Sequence, residues 1–391
     1  MTNKFVYVVL GAGRQGTASA YDFALWGDAK KVILADLNLE AAEKSAARIN
    51  KMLDTTIAIP VQANASDPKS ISNVLTGVDA CLSAVPYNYN IGITETCVKL
   101  GVCLCDLGGN TDIAQQQHDF DNEARAVGIS IIPNCGQVPG MGSSLMVYAI
   151  ELLDEALDVY MWEGGIPQNP HPPFNYLLTF HIAGLTNEYA EPAVFLRDWK
   201  VTRIEPMTEL EAVIFPEPIG KLEAFVTGGG TDTMPWTYEG KLRTLQNLTL
   251  RHPGHFTQLR AYYDLGLWDL KPIQIKEKEI IPRDVFHSLF EPKVVNPSEK
   301  DIVIVRIRVI GKKNGRGAEA FIEVIDYFDE TTGFSAMERS TGWSAAIVAE
   351  MMVRKETLIG AGGVEKMVPA KPFVEELKKR GIRLTEQISE I

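Results

Sequence analysis

A chain of 391 residues, 46% hydrophobic and 23% charged, is long enough for two packed cores and has a globular composition. A formal net charge of −12 argues against duplex nucleic acid or an anionic membrane as partner, because both need concentrated Lys and Arg. No run approaches the ~20 apolar residues of a membrane span, no signal peptide is evident, and the five cysteines form no CxxC pair. They read as reduced, buried thiols of a cytoplasmic protein without a metal site.

The chain opens with a continuous apolar strand, "FVYVVL", followed by the turn "GAGRQG" and a helix. Each glycine has a use: Gly11 permits the tight turn, Gly13 lets phosphates approach the backbone, and Gly16 lets the helix pack close to the strand. Arg14 and Gln15 complete the turn, and the helix N-terminus faces the pyrophosphate. The next strand, "KKVILAD", ends in Asp36, ~20 residues past the last glycine, where an acid takes the adenosine ribose hydroxyls. A carboxylate there repels a 2′-phosphate, and Leu37 and Asn38 offer no arginine to receive one. NAD is therefore expected rather than NADP.

Alternation continues through "AAEKSAARINKML" (helix), "TIAIPVQANASD" (strand), "PKSISNVLTGV" (helix), "DACLSAVPYNYN" (strand), "IGITETCVKLG" (helix), "VCLCDLGGNTD" (strand), "AQQQHDFDNEARAVG" (helix) and "ISIIPNCGQVPGM" (strand and loop). This is the pattern of a doubly wound parallel sheet, an α/β Rossmann nucleotide-binding domain, with ligands off the carboxyl ends of its strands. Ser66, Asp67, Val85 and Pro86 fall at those ends and join the expected cofactor-binding set. Asp106 falls there too, either as a helix N-cap or as a group near the nicotinamide ribose.

After Gly142 strand-like runs follow one another: "LDVYMWEGG", "LLTFHIAG", "KVTRIEPM", "KLEAFVTGGGTD" and "RTLQNLTLRHPGH". "DIVIVRIRVIGKKNGRGAEAFIEVIDYF" is a hairpin around Asn314-Gly315. "FSAMERS" reads as one more strand, then "STGWSAAIVAEMMV" and "PAKPFVEELKKRGI" as helices. The expectation is an α+β mixed-sheet substrate domain over 141–344. Residues 1–140 with 345–391 would form the discontinuous nucleotide domain.

In "NLTLRHPGHFTQL" a polar–apolar alternation breaks at Pro253-Gly254, between His252 and His255. A turn needs Pro and Gly but not a guanidinium and two imidazoles. From spacing alone, Arg251 is equally a strand-end arginine paired to an acid, and His255 a capping residue.

Together, "GAGRQG" with Asp36, "DLGGN", "GQVPGM", "GGIP", "EAFVTGGGTD", "TLRHPGH" and "KRGI" resemble the saccharopine dehydrogenase family in its short form, over almost the whole chain. "WEGGIPQNPHPPFNY" paired with "EAFVTGGGTDT" is similar to the lysine 6-dehydrogenase branch. The resemblance implies a homodimer or higher homo-oligomer acting on a small amine or amino acid. It also implies NAD-dependent oxidation of the ε-amine of L-lysine to 2-aminoadipate 6-semialdehyde, which cyclises to a piperideine carboxylate. A reductase making saccharopine or carboxynorspermidine, and a non-catalytic dinucleotide sensor, remain alternatives.

Such chemistry needs a neutral amine, a clamp for the α-carboxylate and an acceptor for the α-ammonium. With the resemblance in hand, Arg251 is the expected clamp and His255 the expected base or water activator. Glu223 is an expected ammonium acceptor or else a solvated strand residue. His181 is a catalytic candidate or a buried, hydrogen-bonded histidine. Asp106 completes the set.

Overall fold

The computed structural model describes residues 4–391. Its first sheet contains β1 (Phe5–Leu10), β2 (Ala29–Asp36), β3 (Ala58–Gln62), β4 (Ala80–Ser83), β5 (Cys103–Asp106) and β6 (Ser130–Ile132). Its second is built from β7 (Glu155–Pro167), β8 (Ala193–Arg197), β9 (Lys200–Ile204), β10 (Glu211–Ile214), β11 (Lys221–Phe225) and β12 (Thr244–Arg251). A small ribbon, β13 (Ile273–Ile275) and β14 (Lys278–Ile280), precedes the long strands β15 (Asp301–Lys313) and β16 (Arg316–Tyr327). The tail adds β17 (Gly360–Ala361) and β18 (Leu384–Glu390).

The first sheet is parallel, in the order β17-β6-β5-β4-β1-β2-β3. Its strands are apolar on both faces because helices cover both, as the continuous hydrophobic runs require. The order reverses between β1 and β4, and a crevice opens at that switch point beyond their carboxyl ends. The second sheet is mixed, in the order β10-β11-β12-β7-β15-β16-β18, with the β8–β9 hairpin paired to β12. Strands β12 and β7 run parallel and the remaining neighbours antiparallel. Asn314 and Gly315, at φ of 52° and 74°, make the β15–β16 turn with the left-handed residues that a two-residue hairpin demands.

Three expectations give way, and one helix has no counterpart among the expected elements. "GSSLMVYAIE", Gly142–Glu151, is a buried helix joining the two sheets. "LLTFHIAG" is no strand: Ile182–Ala190 is a helix, entered through His181. "FSAMERS" is helical, because Ser335 and Glu338 form a capping box in which each side chain receives the other's backbone N–H. The tail divides: β17 extends the first sheet beside β6, but β18 pairs with β16. Residues 384–390 therefore lie outside the nucleotide domain, on a strand edge that would otherwise leave N–H and C=O groups unpaired. Before that departure the tail is pinned to the first domain. Buried Arg380 bonds Asp22 through both Nε (2.7 Å) and Nη2 (2.9 Å), and Glu350 through Nη2 (2.9 Å).

Candidate active site between the two sheets

The nucleotide end has the geometry that a dinucleotide needs. Gly11 has φ of +96°, and a Cβ there would stand 2.7 Å from the Ala84 carbonyl oxygen. A Cβ on Gly16 would collide with the Gly11 carbonyl oxygen. Gly13 faces open space, and the helix Arg14–Trp26 that it caps receives no side-chain cap. Its first N–H groups are thus free for an anion. Both polar atoms of the Gln15 amide are buried without a partner. Asp36 accepts from Ala12 N (2.7 Å) and Asn38 N (2.8 Å), which ties the tip of β2 to the glycine turn. Val85 packs 3.4 Å from the position of a Gly11 Cβ, with Pro86 exposed beside it. These residues fit an NAD(P)-type dinucleotide.

Three members of the expected cofactor set are otherwise engaged. Arg14 Nε donates to Glu338 Oε1 (2.8 Å). Ser66 donates to Asn64 Oδ1 (2.7 Å), and Asp67 caps the helix Pro68–Leu75 by accepting from Lys69 N (3.0 Å). Local turn chemistry occupies Ser66 and Asp67, and a long-range ion pair occupies Arg14.

Asp106 is corrected. It is 1% exposed and accepts from Gly108 N (2.8 Å), Asn134 N (3.0 Å) and Gln117 Nε2 (2.9 Å). Burial raises its pKa while these donors lower it. The carboxylate anchors the loops after β5 and β6, and the helix N-cap is Asn110. Asn134 in turn donates to Asp232 Oδ1 (2.7 Å), a carboxyl pushed up to about 8 by burial and by Glu365. Cys135 is fully buried, with its thiol pKa raised by burial.

The loop after β6 reaches the second sheet through Gln137, whose Nε2 donates to Glu163 Oε2 (3.4 Å). Glu163 Oε1 accepts from Thr249 Oγ1 (2.9 Å), and Thr249 shares a 2.6 Å hydrogen bond with Thr227. Register explains the meeting: Thr249 lies opposite Glu163 on β7, and Arg251 lies opposite Glu223 on β11. Opposed residues share a face of a sheet. On β12, Leu248 and Leu250 point into an apolar cluster, while Asn247, Thr249 and Arg251 point the other way. Yet those three are 0%, 1% and 3% exposed. The polar face of this strand meets protein rather than water.

Arg251 is committed on two of its three nitrogens. Nε donates to the Tyr189 hydroxyl (2.8 Å) and Nη1 to the Leu250 carbonyl (2.9 Å). Nη2 has only Glu188 Oε2, at 3.9 Å. Burial opposes its charge, but Tyr189, Tyr176, Glu188 and Glu163 together hold its pKa above the usual value. Burial pushes the Glu188 carboxyl up to about 8 against the pull of Arg251. Its side chain keeps 36% of its surface open, so solvent in the cleft moderates that rise. The Tyr176 hydroxyl is buried without a partner, and its ring lies 5.4 Å from the Arg251 guanidinium.

His255 and Glu223 are corrected. His255 is 0% exposed, with Nε2 3.0 Å from the Tyr189 hydroxyl and Nδ1 3.5 Å from the Phe174 carbonyl oxygen. Burial, then the Arg251 charge, lowers its pKa to about 3. The imidazole is enclosed and contacts the Tyr189 hydroxyl rather than open space. Glu223 accepts from Gly254 N (2.9 Å) and Phe256 N (3.1 Å). It caps the helix His255–Asp264, which has no side-chain cap of its own. His181 is exposed and caps the helix Ile182–Ala190 by accepting from Ala183 N at 3.2 Å, so neither the catalytic nor the buried reading describes it. Sequence reasoning missed Glu163, Glu188 and Tyr189 as partners of Arg251.

A surface depression of about 550 Å³, lined by Tyr263, Trp268 and Arg283 among others, shares none of these residues. Among the described residues no group of three or more His, Cys, Asp or Glu is arranged to hold a metal, and no helix is long and apolar enough to cross a membrane.

Residues 7–132 match the saccharopine dehydrogenase NADP binding domain, and residues 136–382 match the saccharopine dehydrogenase C-terminal domain. The carboxynorspermidine synthase of Vibrio cholerae is 23% identical over 95% of this chain and 94% of its own. The carboxyaminopropylagmatine dehydrogenase of Synechocystis is 22% identical over 98% and 97%. In structure, the chain is similar to the apo saccharopine dehydrogenase (L-Glu forming) of Saccharomyces cerevisiae. The TM-score is 0.78, at 17% identity, over 99% of this chain and 100% of the other.

Proposed function

This chain belongs to the saccharopine dehydrogenase family, oxidoreductases that act at amine carbon–nitrogen bonds, and we propose that it is an NAD-dependent dehydrogenase of the ε-amine of L-lysine. One observation carries the reading: a buried guanidinium with a single uncommitted nitrogen, flanked by two carboxylates, Glu163 and Glu188. An ammonium beside each carboxyl favours its ionised form, and with Arg251, Glu163 and Glu188 all ionised the cluster carries one net negative charge. A substrate with one carboxylate and two ammonium groups neutralises it, whereas saccharopine, with three carboxylates and two amines, adds to the imbalance. Arg251 Nη2 receives the α-carboxylate in a charge-assisted hydrogen bond, and Glu188 receives the α-ammonium.

Bound at the Gly11–Gly16 turn, the dinucleotide supplies the hydride acceptor. Asp36 supports NAD over NADP, since its carboxylate holds the position that a 2′-phosphate would need and Leu37 and Asn38 bring no cation. The chain's own groups bind the amino acid, exclude water and orient the reacting end against the crevice. The family resemblance also supports a homo-oligomer, which sedimentation would read.

The names of the full-length relatives favour a second reading, a dehydrogenase that forms or cleaves a secondary amine on a polyamine-like acid. Product analysis separates the two. Lysine deamination releases one ammonia per NADH, while cleavage of a secondary amine releases a primary amine and no ammonia.

A further inference from the structure

We propose that Glu163 is the catalytic group that receives the reacting ammonium and takes its proton, on the same face of the sheet as the Arg251 clamp. This rests on the amine-dehydrogenase reading above and assigns its least obvious step.

Several independent observations converge on Glu163. It is partly accessible and stands where the loop from the carboxyl end of the nucleotide sheet touches the second sheet, through Gln137. Its carboxylate is held from two sides, by Thr249 and by Gln137, so its direction is fixed before substrate arrives. Beside Thr249 on the same face lies Asn247, 0% exposed, whose side-chain amide faces Glu163 and favours its ionised form. The clamp lies on the same face: Thr249 is opposite Glu163, and Arg251 is two residues further along β12. That sets the backbones of clamp and acceptor about 7 Å apart along the strand, so the two side chains serve one face.

The charges facing Glu163 come from three elements: Arg251 on β12, Glu188 and Tyr189 on the helix Ile182–Ala190, and Tyr176 in the segment before it. Burial raises the Glu163 pKa and Arg251 lowers it, with burial the larger. A carboxylate with raised proton affinity is a better base for an ammonium than an exposed one. In the step itself an N–H bond breaks and an O–H bond forms on Glu163. The nitrogen lone pair then forms the C=N bond as the adjacent C–H leaves as hydride to NAD. Water adds to the iminium carbon and ammonia departs, so lysine, NAD and water give semialdehyde, ammonium, NADH and one proton.

The test is Glu163→Gln, which keeps shape and hydrogen bonding but not basicity. In the assay of NADH formation from lysine, kcat is expected to fall 100-fold or more. The acid limb of the wild-type kcat profile is expected to disappear, leaving a residual rate that climbs with pH as free amine forms. A binding measurement without cofactor, by titration calorimetry, runs beside it. Wild type is expected to prefer lysine over 2-amino-6-hydroxyhexanoate about tenfold or more, and Glu163→Gln to show no preference. A variant that keeps both the acid limb and the preference overturns the assignment. Wild-type turnover of a different amine sinks the lysine reading alone, and Glu163→Gln is then judged on that amine. Turnover of no amine, with no preference in binding, overturns both.

Discussion

His255 Nε2 stands 3.0 Å from the Tyr189 hydroxyl, and that one contact reassigns the histidine. The hydroxyl accepts from Arg251 Nε–H, and His255 Nδ1 faces the Phe174 carbonyl, which can only accept. The Nδ1–H tautomer follows, with Nε2 accepting from the Tyr189 hydroxyl. His255, Tyr189 and Arg251 form one chain of hydrogen bonds that fixes the guanidinium.

His255→Asn should therefore act on binding before chemistry. The expected result is a KM for the amino acid raised several-fold, with a smaller fall in kcat and no loss of a titration near the ordinary histidine pKa. Initial rates across pH read both. A fall in kcat alone, with loss of the acid limb, would restore His255 as a base.

The same histidine makes stability depend on pH. Its folded pKa, about 3, lies below the ordinary 6.5, so the unfolded chain binds the proton first. The contribution is fully present above pH 6.5 and is lost as pH falls toward 3, by ~1.4 kcal/mol per unit at most. Denaturant midpoints at pH 7.5 and pH 5 should fall more steeply for wild type than for His255→Asn.

Gly13 and Gly16 should part company. Gly16→Ala forces a methyl onto the Gly11 carbonyl oxygen and should cost ~1–3 kcal/mol of stability. Gly13→Ala meets nothing in the protein and should leave the melting temperature alone while weakening the dinucleotide. Thermal melts with and without NADH distinguish the two.

Asp36→Ala should weaken NAD by about 10- to 100-fold, the worth of a charged group's hydrogen bonds, and NADP far less. Equal weakening of both, by fluorescence titration of the reduced forms, would refute the ribose assignment.

Glu223→Ala should cost ~0.5–2 kcal/mol through loss of a helix cap, with the pH profile of the rate unchanged. Denaturant titration and the pH–rate profile together check it.

The nucleotide half was legible because its signals are local: apolar runs, glycines with set uses, and an acid at a set distance. The capping box at Ser335–Glu338 was equally local, and the short apolar alternation of "FSAMERS" obscured it. His181 stood among apolar residues that suggested a strand, while the helix it caps begins only at Ile182. On β12 the alternation was visible, but alternation alone does not distinguish a polar face that meets water from one that meets another layer. Glu163 in "WEGG" and Glu188 in "NEYAE" carry no local signal that sets them apart. Only the β7–β12 register and the helix crossing above it bring them to Arg251.

The most direct measurement is NADH formation by the purified protein with NAD and, in turn, L-lysine, ornithine, saccharopine and carboxynorspermidine. The account predicts NADH with lysine, one ammonia per turnover and a cyclic imine product. NADH from saccharopine or carboxynorspermidine, with lysine silent, would contradict it.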